Sequence, residues 1–126
     1  MNAPETDIDQ QRVKAFAARV MHSYAESVLT LMLDLSGRTG LLDALAQGPA
    51  TSETVAERAG LEERYVREIL GSLVTGEFVE YEPASRVYTL PPEHAICLTG
   101  SGVRNMTPVS RATTLLAQHV PAVARA

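Results

Sequence analysis

The sequence predicts a mainly α-helical fold, a winged helix-turn-helix with a long N-terminal helix and a small two-stranded β wing. The first observation is a pair of amphipathic segments on either side of Gly60, which indicates two helices joined by a tight turn. The second is a pair of short strand-like runs, at residues 78–82 and 87–90, separated by a turn at residues 83–86. Two closely joined helices followed by such a hairpin make a winged helix-turn-helix.

The two helices of the motif have recognisable starts and stops. Thr51 and Ser52 are good N-cap candidates for the first helix, and Gly60 supplies the left-handed residue that ends it. The second helix is expected at residues 62–75, with Gly76 as its stop. Its apolar residues recur with helical spacing on one side: Tyr65, Val66, Ile69, Leu70, Leu73 and Val74.

A long helix is predicted before the motif, at residues 9–36. We expect it to be continuous or broken near His22, with Gly37 and Gly40 ending it. Its apolar residues step by four, three, four, four, three and four, which is close to a heptad repeat. This set, called the seam below, comprises Val13, Ala17, Val20, Tyr24, Val28, Leu31 and Leu35.

An apolar stripe of this extent is usually covered in a folded protein. Two packing arrangements would cover the stripe. The long helix packs across the winged helix as one extra layer, or it pairs with a second copy of itself. We favour the second arrangement, so the seam predicts a homodimer with residues 9–36 as its dimerisation helix.

Composition indicates a single domain that works in the cytoplasm. The chain has 126 residues, a net charge of −4 and one cysteine, which cannot form an intrachain disulfide. No apolar run reaches the roughly 18 residues that a membrane span needs, and the first residues lack the pattern of a signal peptide. We expect residues 1–8 to be flexible and residues 9–126 to form one winged-helix domain, with its core at residues 40–90 and further helices at residues 91–126.

The helix-turn-helix motif commonly binds DNA, but the negative charge of this motif disfavours nucleic acid as a partner. Residues 51–90 hold four arginines and eight glutamates, a net charge of −4, whereas DNA affinity comes largely from Lys and Arg that neutralise phosphates. We expect Arg64 to pair with Glu68 and Arg67 with Glu63, because each pair is four residues apart. The alternative function, a DNA-binding transcriptional regulator, would use three arginines: Arg64, Arg67 and Arg86.

Candidate catalytic groups are scattered. His94 and Cys97 share a helical spacing, and His22 and His119 lie far from them, but a structural metal site needs about four ligands. Residues 100–105 resemble a dinucleotide fingerprint, yet they lack its third glycine and the acid that binds ribose. We therefore predict no catalytic, cofactor-binding or metal-binding residue in this chain.

Three segments, residues 38–45, 51–60 and 61–79, carry a family resemblance, and the Tyr-Val-Arg run at residues 65–67 is its most specific piece. Together they resemble the N-terminal winged-helix region of S-adenosylmethionine-dependent methyltransferases of the O-methyltransferase type. The resemblance implies a dimerisation and substrate-covering domain that is not catalytic on its own. It also implies that S-adenosylmethionine binds only to a separate downstream domain.

The same resemblance implies a substrate pocket beside the long helix. Met21, Tyr24 and Met32 are candidate lining residues, although side chains of this kind more often belong to a core or a seam. The family's cofactor domain has no counterpart in these 126 residues, so the sequence leaves open whether the chain is part of an enzyme. We expect a fragment, a truncated product or a free-standing relative, with a methyltransferase catalytic domain as a second candidate partner.

Overall fold

A computed structural model of the chain describes residues 7–126. It confirms the predicted class, a mainly helical winged helix-turn-helix with a long N-terminal helix and a two-stranded antiparallel sheet. Residues 1–6, most of the segment predicted to be flexible, lie outside the described residues. The elements are α1 (Gln10–Thr39), α2 (Leu41–Leu45), α3 (Ser52–Ala59), α4 (Glu63–Thr75), β1 (Glu80–Glu82), β2 (Val87–Thr89), α5 (Pro92–Leu98), α6 (Thr107–Ala117) and α7 (Val120–Ala124).

Helix α1 is unbroken, 30 residues and therefore about 45 Å long. Asp9 caps its start, because its carboxylate accepts hydrogen bonds from two backbone N–H groups, the nearer on Gln11 at 3.0 Å. The prediction that Gly37 ends the helix is wrong. The helix continues to Thr39, and Gly40 closes it in the left-handed conformation, with φ 74°.

The hydrophobic core lies between α2, α3 and α4. Seven large apolar side chains are almost completely buried there: Leu41, Leu42, Leu45, Val55, Val66, Leu70 and Leu73. Burial of each contributes roughly 1.5–3 kcal/mol to folding. The predicted apolar face of α4 is therefore confirmed, with one exception. Tyr65 is 61% exposed and points away from this core towards α1.

The motif helices begin and end largely as predicted. The Thr51 hydroxyl accepts a hydrogen bond from the N–H of Thr54 at 3.3 Å, which caps α3, and Gly60 ends it with φ 69°. Gly76 ends α4, but its φ of −80° requires no glycine. A Cβ added there would lie 2.5 Å from Leu29 Cδ2, so glycine at this position lets α1 approach the end of α4.

The wing is an antiparallel pair of β1 and β2, in which Tyr81 lies opposite Tyr88 with ring centroids 4.6 Å apart. Both strands are shorter than predicted. The N–H groups of Phe78 and Val79 donate to the Leu73 carbonyl, at 2.9 and 3.3 Å, and so close the end of α4. The first strand consequently starts two residues later than its β-branched and aromatic composition indicates.

Helix α6 packs along the C-terminal half of α1. Gly37 lies at this contact, where an added Cβ would be 3.4 Å from the Cβ of Thr107. An added Cβ would make an ordinary van der Waals contact at that distance, so the packing does not require glycine, and Gly37 does not terminate α1. Beyond α6, Pro121 lies in the first turn of α7, where a proline is tolerated.

Candidate functional site

An apolar groove of about 650 Å³ lies between α1 and α4. We call it the α1–α4 groove. Its apolar lining residues are Val28, Met32, Leu35, Leu61, Tyr65, Val66 and Ile69. Two acidic residues, Glu62 and Glu68, also line it. A concave apolar surface of this size can take either an organic ligand or the apolar face of a helix.

Of the three candidate pocket residues, Met32 lines this groove, together with the seam residues Val28 and Leu35. Tyr24 and Met21 lie about two and three turns nearer the N-terminus of α1, and their side chains are 60% and 65% exposed. The structure therefore separates the three residues along the helix. A role for any of them in lining a substrate pocket stays a prediction.

The seam lies on a face of α1 that points away from the core. Six of its seven residues are exposed and Val20 is half-buried. The contacts of α1 with the core come from a different set, Leu29, Met32 and Leu33. The two arrangements considered for α1 therefore use different faces of the helix. The inner face packs on the winged helix as an extra layer, and the seam stays exposed. Pairing of the seam with a second copy stays a prediction.

The N-terminal half of α1, residues 10–24, is called the arm below. Every residue from 7 to 19 is exposed. The arm carries three cations, Arg12, Lys14 and Arg19, and no carboxylate. Because a short helix without tertiary contacts is only marginally stable in water, the arm is the part of the molecule that gains most from a partner.

The arginines of α4 are paired as predicted. Arg67 Nε lies 3.7 Å from Glu63 Oε1, and Arg64 Nε lies 3.9 Å from Glu68 Oε1. The Ser52 hydroxyl also donates to Glu63 at 2.8 Å, which joins the starts of α3 and α4. Such exposed ion pairs add little stability, but they place a carboxylate beside each guanidinium on the helix that would enter a DNA groove.

The other two arginines of the motif are Arg58 and Arg86. Arg86, the third candidate DNA contact, lies in the wing turn with φ 58°. The pKa of Glu53 is lowered, chiefly by a backbone N–H at the start of α3 and also by the charge of Arg86. Arg58 donates from Nη1 to the carbonyls of Ala44 and Gly48, at 3.2 and 2.8 Å. Arg58 therefore stabilises the fold by joining α3 to α2 and to the turn after it.

A buried ion cluster, which the sequence reasoning missed, joins α1 to α6. Asp34 is 8% exposed, and Arg38 Nε donates to both of its carboxylate oxygens at 3.0 Å. Across the helix contact, the Thr114 hydroxyl donates to Oδ2 at 2.6 Å and Arg111 Nε lies 3.9 Å from Oδ1. The Thr114 hydrogen bond and these arginines lower the pKa of Asp34. An aspartate within an apolar stripe, four residues before an arginine, was the available signal.

The loop at residues 100–105, which resembles a dinucleotide fingerprint in sequence, is held by hydrogen bonds within the chain. The N–H of Gly100 donates to Asp43 Oδ1 at 3.2 Å, and Asn105 Nδ2 donates to the Gly100 carbonyl at 2.7 Å. These polar groups are used within the chain. Nearby, His94 Nδ1 donates to the Phe78 carbonyl at 2.8 Å and anchors α5 to the segment between α4 and β1. Within residues 7–126, no three His, Cys, Asp or Glu side chains are placed to hold a metal ion.

No helix within residues 7–126 combines the length and the hydropathy needed to span a bilayer.

The geometry described so far defines a winged helix-turn-helix domain that has an acidic motif and a long, apolar N-terminal helix. Residues 27–100 match the family described as the Rv2258c-like winged HTH domain, and the chain belongs to this family. A search of curated protein sequences finds no match.

Two solved structures share the fold. The structure of PigF with SAH superposes with a TM-score of 0.70 and 18% identity, over 89% of this chain and 33% of that chain. The mitomycin 7-O-methyltransferase MmcR gives a TM-score of 0.66 and 18% identity, over 82% and 30%. This chain thus spans about a third of their length. At this identity the likeness shows a shared fold, which is the fold that the resemblance in the sequence implies.

Proposed function

We propose that this chain is the dimerisation and substrate-covering winged-helix domain of an S-adenosylmethionine-dependent methyltransferase, and that it is not catalytic on its own. The observation that carries the proposal is the exposed seam of α1, which continues into the α1–α4 groove through Val28 and Leu35. A continuous apolar surface of this kind marks an interaction site.

The fold supports the methyltransferase context. MmcR is named as a 7-O-methyltransferase and PigF was solved with SAH, and in each the match covers about a third of the protein. The remaining two thirds leave room for a separate domain that binds the cofactor. The residues of the present chain would supply dimer contacts and an apolar wall, and no step of methyl transfer is assigned to them.

The electrostatics support protein contact over contact with nucleic acid. Each of Arg64 and Arg67 has a carboxylate within 4 Å, and the motif as a whole is acidic. Glu62 and Glu68 line the largely apolar groove, and an acidic, apolar surface favours an apolar or cationic partner over phosphate. The candidate partners are therefore a second copy of the chain and a methyltransferase catalytic domain.

Sedimentation of the chain with a matched pair of variants tests the dimer. Ala17 is a seam residue, whereas Ala15 lies two residues away and on nearly the opposite side of α1. Ala17→Glu buries an unpaired charge at the proposed interface, which costs roughly 3–5 kcal/mol, and should weaken the dimer by about 100-fold or more. Ala15→Glu makes the same chemical change on the free side and should leave the dimer intact.

Circular dichroism of both variants checks that α1 remains folded. A wild-type chain that sediments as a monomer at every accessible concentration would remove the dimerisation role. Equal weakening by the two variants would show that the seam is not the interface.

A further inference from the structure

The residues that line the α1–α4 groove carry charge of one sign. The groove volume of about 650 Å³ lies within the usual range of roughly 300–1,000 Å³ for small-molecule sites. Among the described residues that line it, two are acidic, Glu62 and Glu68, and none is Lys or Arg. An apolar groove of this charge favours a ligand that is both apolar and positively charged.

Glu62 is the carboxylate best placed to meet such a ligand. It lies at the N-cap of α4, yet its side chain makes no capping hydrogen bond to that helix. Tyr65, Ile69 and Ser72 follow it by steps of three, four and three residues, so all of them share the side of α4 that lines the groove. The positive end of the helix dipole amounts to about half a charge. The full charge of Glu62 therefore leaves this end of the groove negative.

Tyr65 is the second feature that would recognise a cation. Its ring is 61% exposed, whereas Ile69 on the same side of α4 is buried. A cation within about 6 Å of such a ring is attracted by its π electrons. The thioether of Met32, on the α1 side of the groove, is a soft apolar group that adapts to the shape of a ligand. Glu68 contributes less charge than Glu62, because its Oε1 lies 3.9 Å from Nε of Arg64.

We propose that the α1–α4 groove binds an apolar organic cation, such as a protonated amine or a quaternary ion that carries aromatic rings, with its positive charge beside Glu62 and the Tyr65 ring. A single chain supplies every wall of this site. The proposal rests on the substrate-covering part of the proposed function, and it names the class of substrate that would be covered. It does not depend on pairing of the seam.

Two probes of nearly the same shape and opposite charge, tetraphenylphosphonium and tetraphenylborate, test the site. Isothermal titration calorimetry of the full chain in sodium buffer should give an affinity about tenfold or more higher for tetraphenylphosphonium. Glu62→Gln should remove most of this preference. Glu80→Gln makes the same change in net charge at an exposed position of β1 and should leave the preference unchanged.

Two substitutions of Tyr65 test the contribution of the ring. Tyr65→Ala should weaken the binding of tetraphenylphosphonium by about threefold to 30-fold, which is the range expected for loss of a cation–π contact. Tyr65→Phe keeps an aromatic ring and should bind like wild type. Because Tyr65 lies outside the core, both variants should remain folded, and circular dichroism checks this.

The outcomes separate the ligand site from the dimer. Equal affinity for the two probes, or a preference that Glu80→Gln reduces as much as Glu62→Gln, would overturn the proposal, while a sedimenting dimer would still support the proposed function. Binding by Ala17→Glu that the wild-type dimer excludes would show that a second copy fills the groove, and would also overturn the proposal. A chain that stays monomeric and prefers tetraphenylphosphonium as expected would support the site and remove the dimerisation role.

Discussion

The winged-helix core buries most of its large apolar side chains, whereas the arm leaves its own exposed. The core buries its leucines and valines among α2, α3 and α4, and its outer face is acidic. The arm extends as a helix whose apolar residues are exposed and whose charges are all positive. The stability of the core is therefore local, whereas order in the arm depends on another surface. Substitutions that affect one region and not the other test this contrast.

The largest contrast is expected between Leu70 and Phe16. Leu70→Ala removes a fully buried side chain and should lower the free energy of unfolding by about 2–5 kcal/mol. Phe16→Ala removes an exposed ring, so it should change the unfolding of the isolated subunit by less than about 0.5 kcal/mol. It should instead raise the dissociation constant of the proposed dimer, because the ring flanks the seam residues Val13 and Val20 on the exposed arm.

Thermal unfolding at several protein concentrations measures both effects. Leu70→Ala should lower the Tm at every concentration, and Phe16→Ala should do so mainly where the wild type is dimeric. A concentration-independent loss of several degrees in Phe16→Ala would mean that the ring packs within its own subunit.

A smaller effect on the free energy of unfolding, opposite in sign at the two positions, is expected for Gly71 in α4 and Gly76 at its end. Gly76→Ala drives a Cβ into Leu29 and should destabilise the fold by about 1–3 kcal/mol. Gly71→Ala adds a Cβ on an open, exposed face of α4 and should stabilise it by up to about 1 kcal/mol. Urea unfolding of the two variants provides the comparison. Stabilisation by Gly76→Ala would show that α1 does not press on the end of α4.

The Asp34 cluster predicts a more modest, pH-dependent effect. Because the folded pKa of Asp34 lies below its ordinary value of 3.8, its contribution is complete above that value and is lost as the pH falls through the folded pKa. Asp34→Asn should therefore be less stable than wild type at neutral pH, and the gap should narrow below about pH 4. Glu57→Gln, an exposed change on α3, is the matched control.

Hydrogen exchange in α6 locates the effect. Faster exchange of the α6 amides in Asp34→Asn at neutral pH is expected, because Thr114 loses its charged acceptor across the helix contact. A difference in the free energy of unfolding between wild type and Asp34→Asn that stays constant with pH would show that the charge of Asp34 does not contribute to stability.

Signals between residues close in the sequence were enough to predict most of the fold. The Thr51 cap, the left-handed Gly60 and the two ion pairs of α4 depend on residues within four positions of each other, and the structure reproduces them. Gly37 misled the prediction, because a glycine can lie inside a helix that its neighbours hold in place. Asp34 is hydrogen-bonded to Arg38 in the last turn of α1 and to Thr114 of α6, and α1 continues to Thr39.

The candidate site was predicted only in part, for the same reason. The seam follows from spacing along one helix, but the α1–α4 groove depends on how two helices separated by more than twenty residues come together. Tyr65 fits the apolar period of α4, yet it lies at the edge of the buried face and lines the groove. The Asp34 cluster joins residues 80 positions apart, and only the folded chain brings them together.

The smallest effect is expected on DNA, where the acidic core is tested directly. If Arg64, Arg67 and Arg86 contacted phosphates, binding to random duplex would be strong at low salt and would fall steeply as salt is added. Because Arg64 and Arg67 are held beside carboxylates, and Arg86 lies close enough to Glu53 to lower its pKa, we expect weak retention with almost no salt dependence. The triple variant Arg64→Ala, Arg67→Ala, Arg86→Ala should behave like wild type in the same gel shift. A steep salt slope that the triple variant abolishes would instead make the motif a DNA reader, and the contrast between an acidic core and a cationic arm would then need a different explanation.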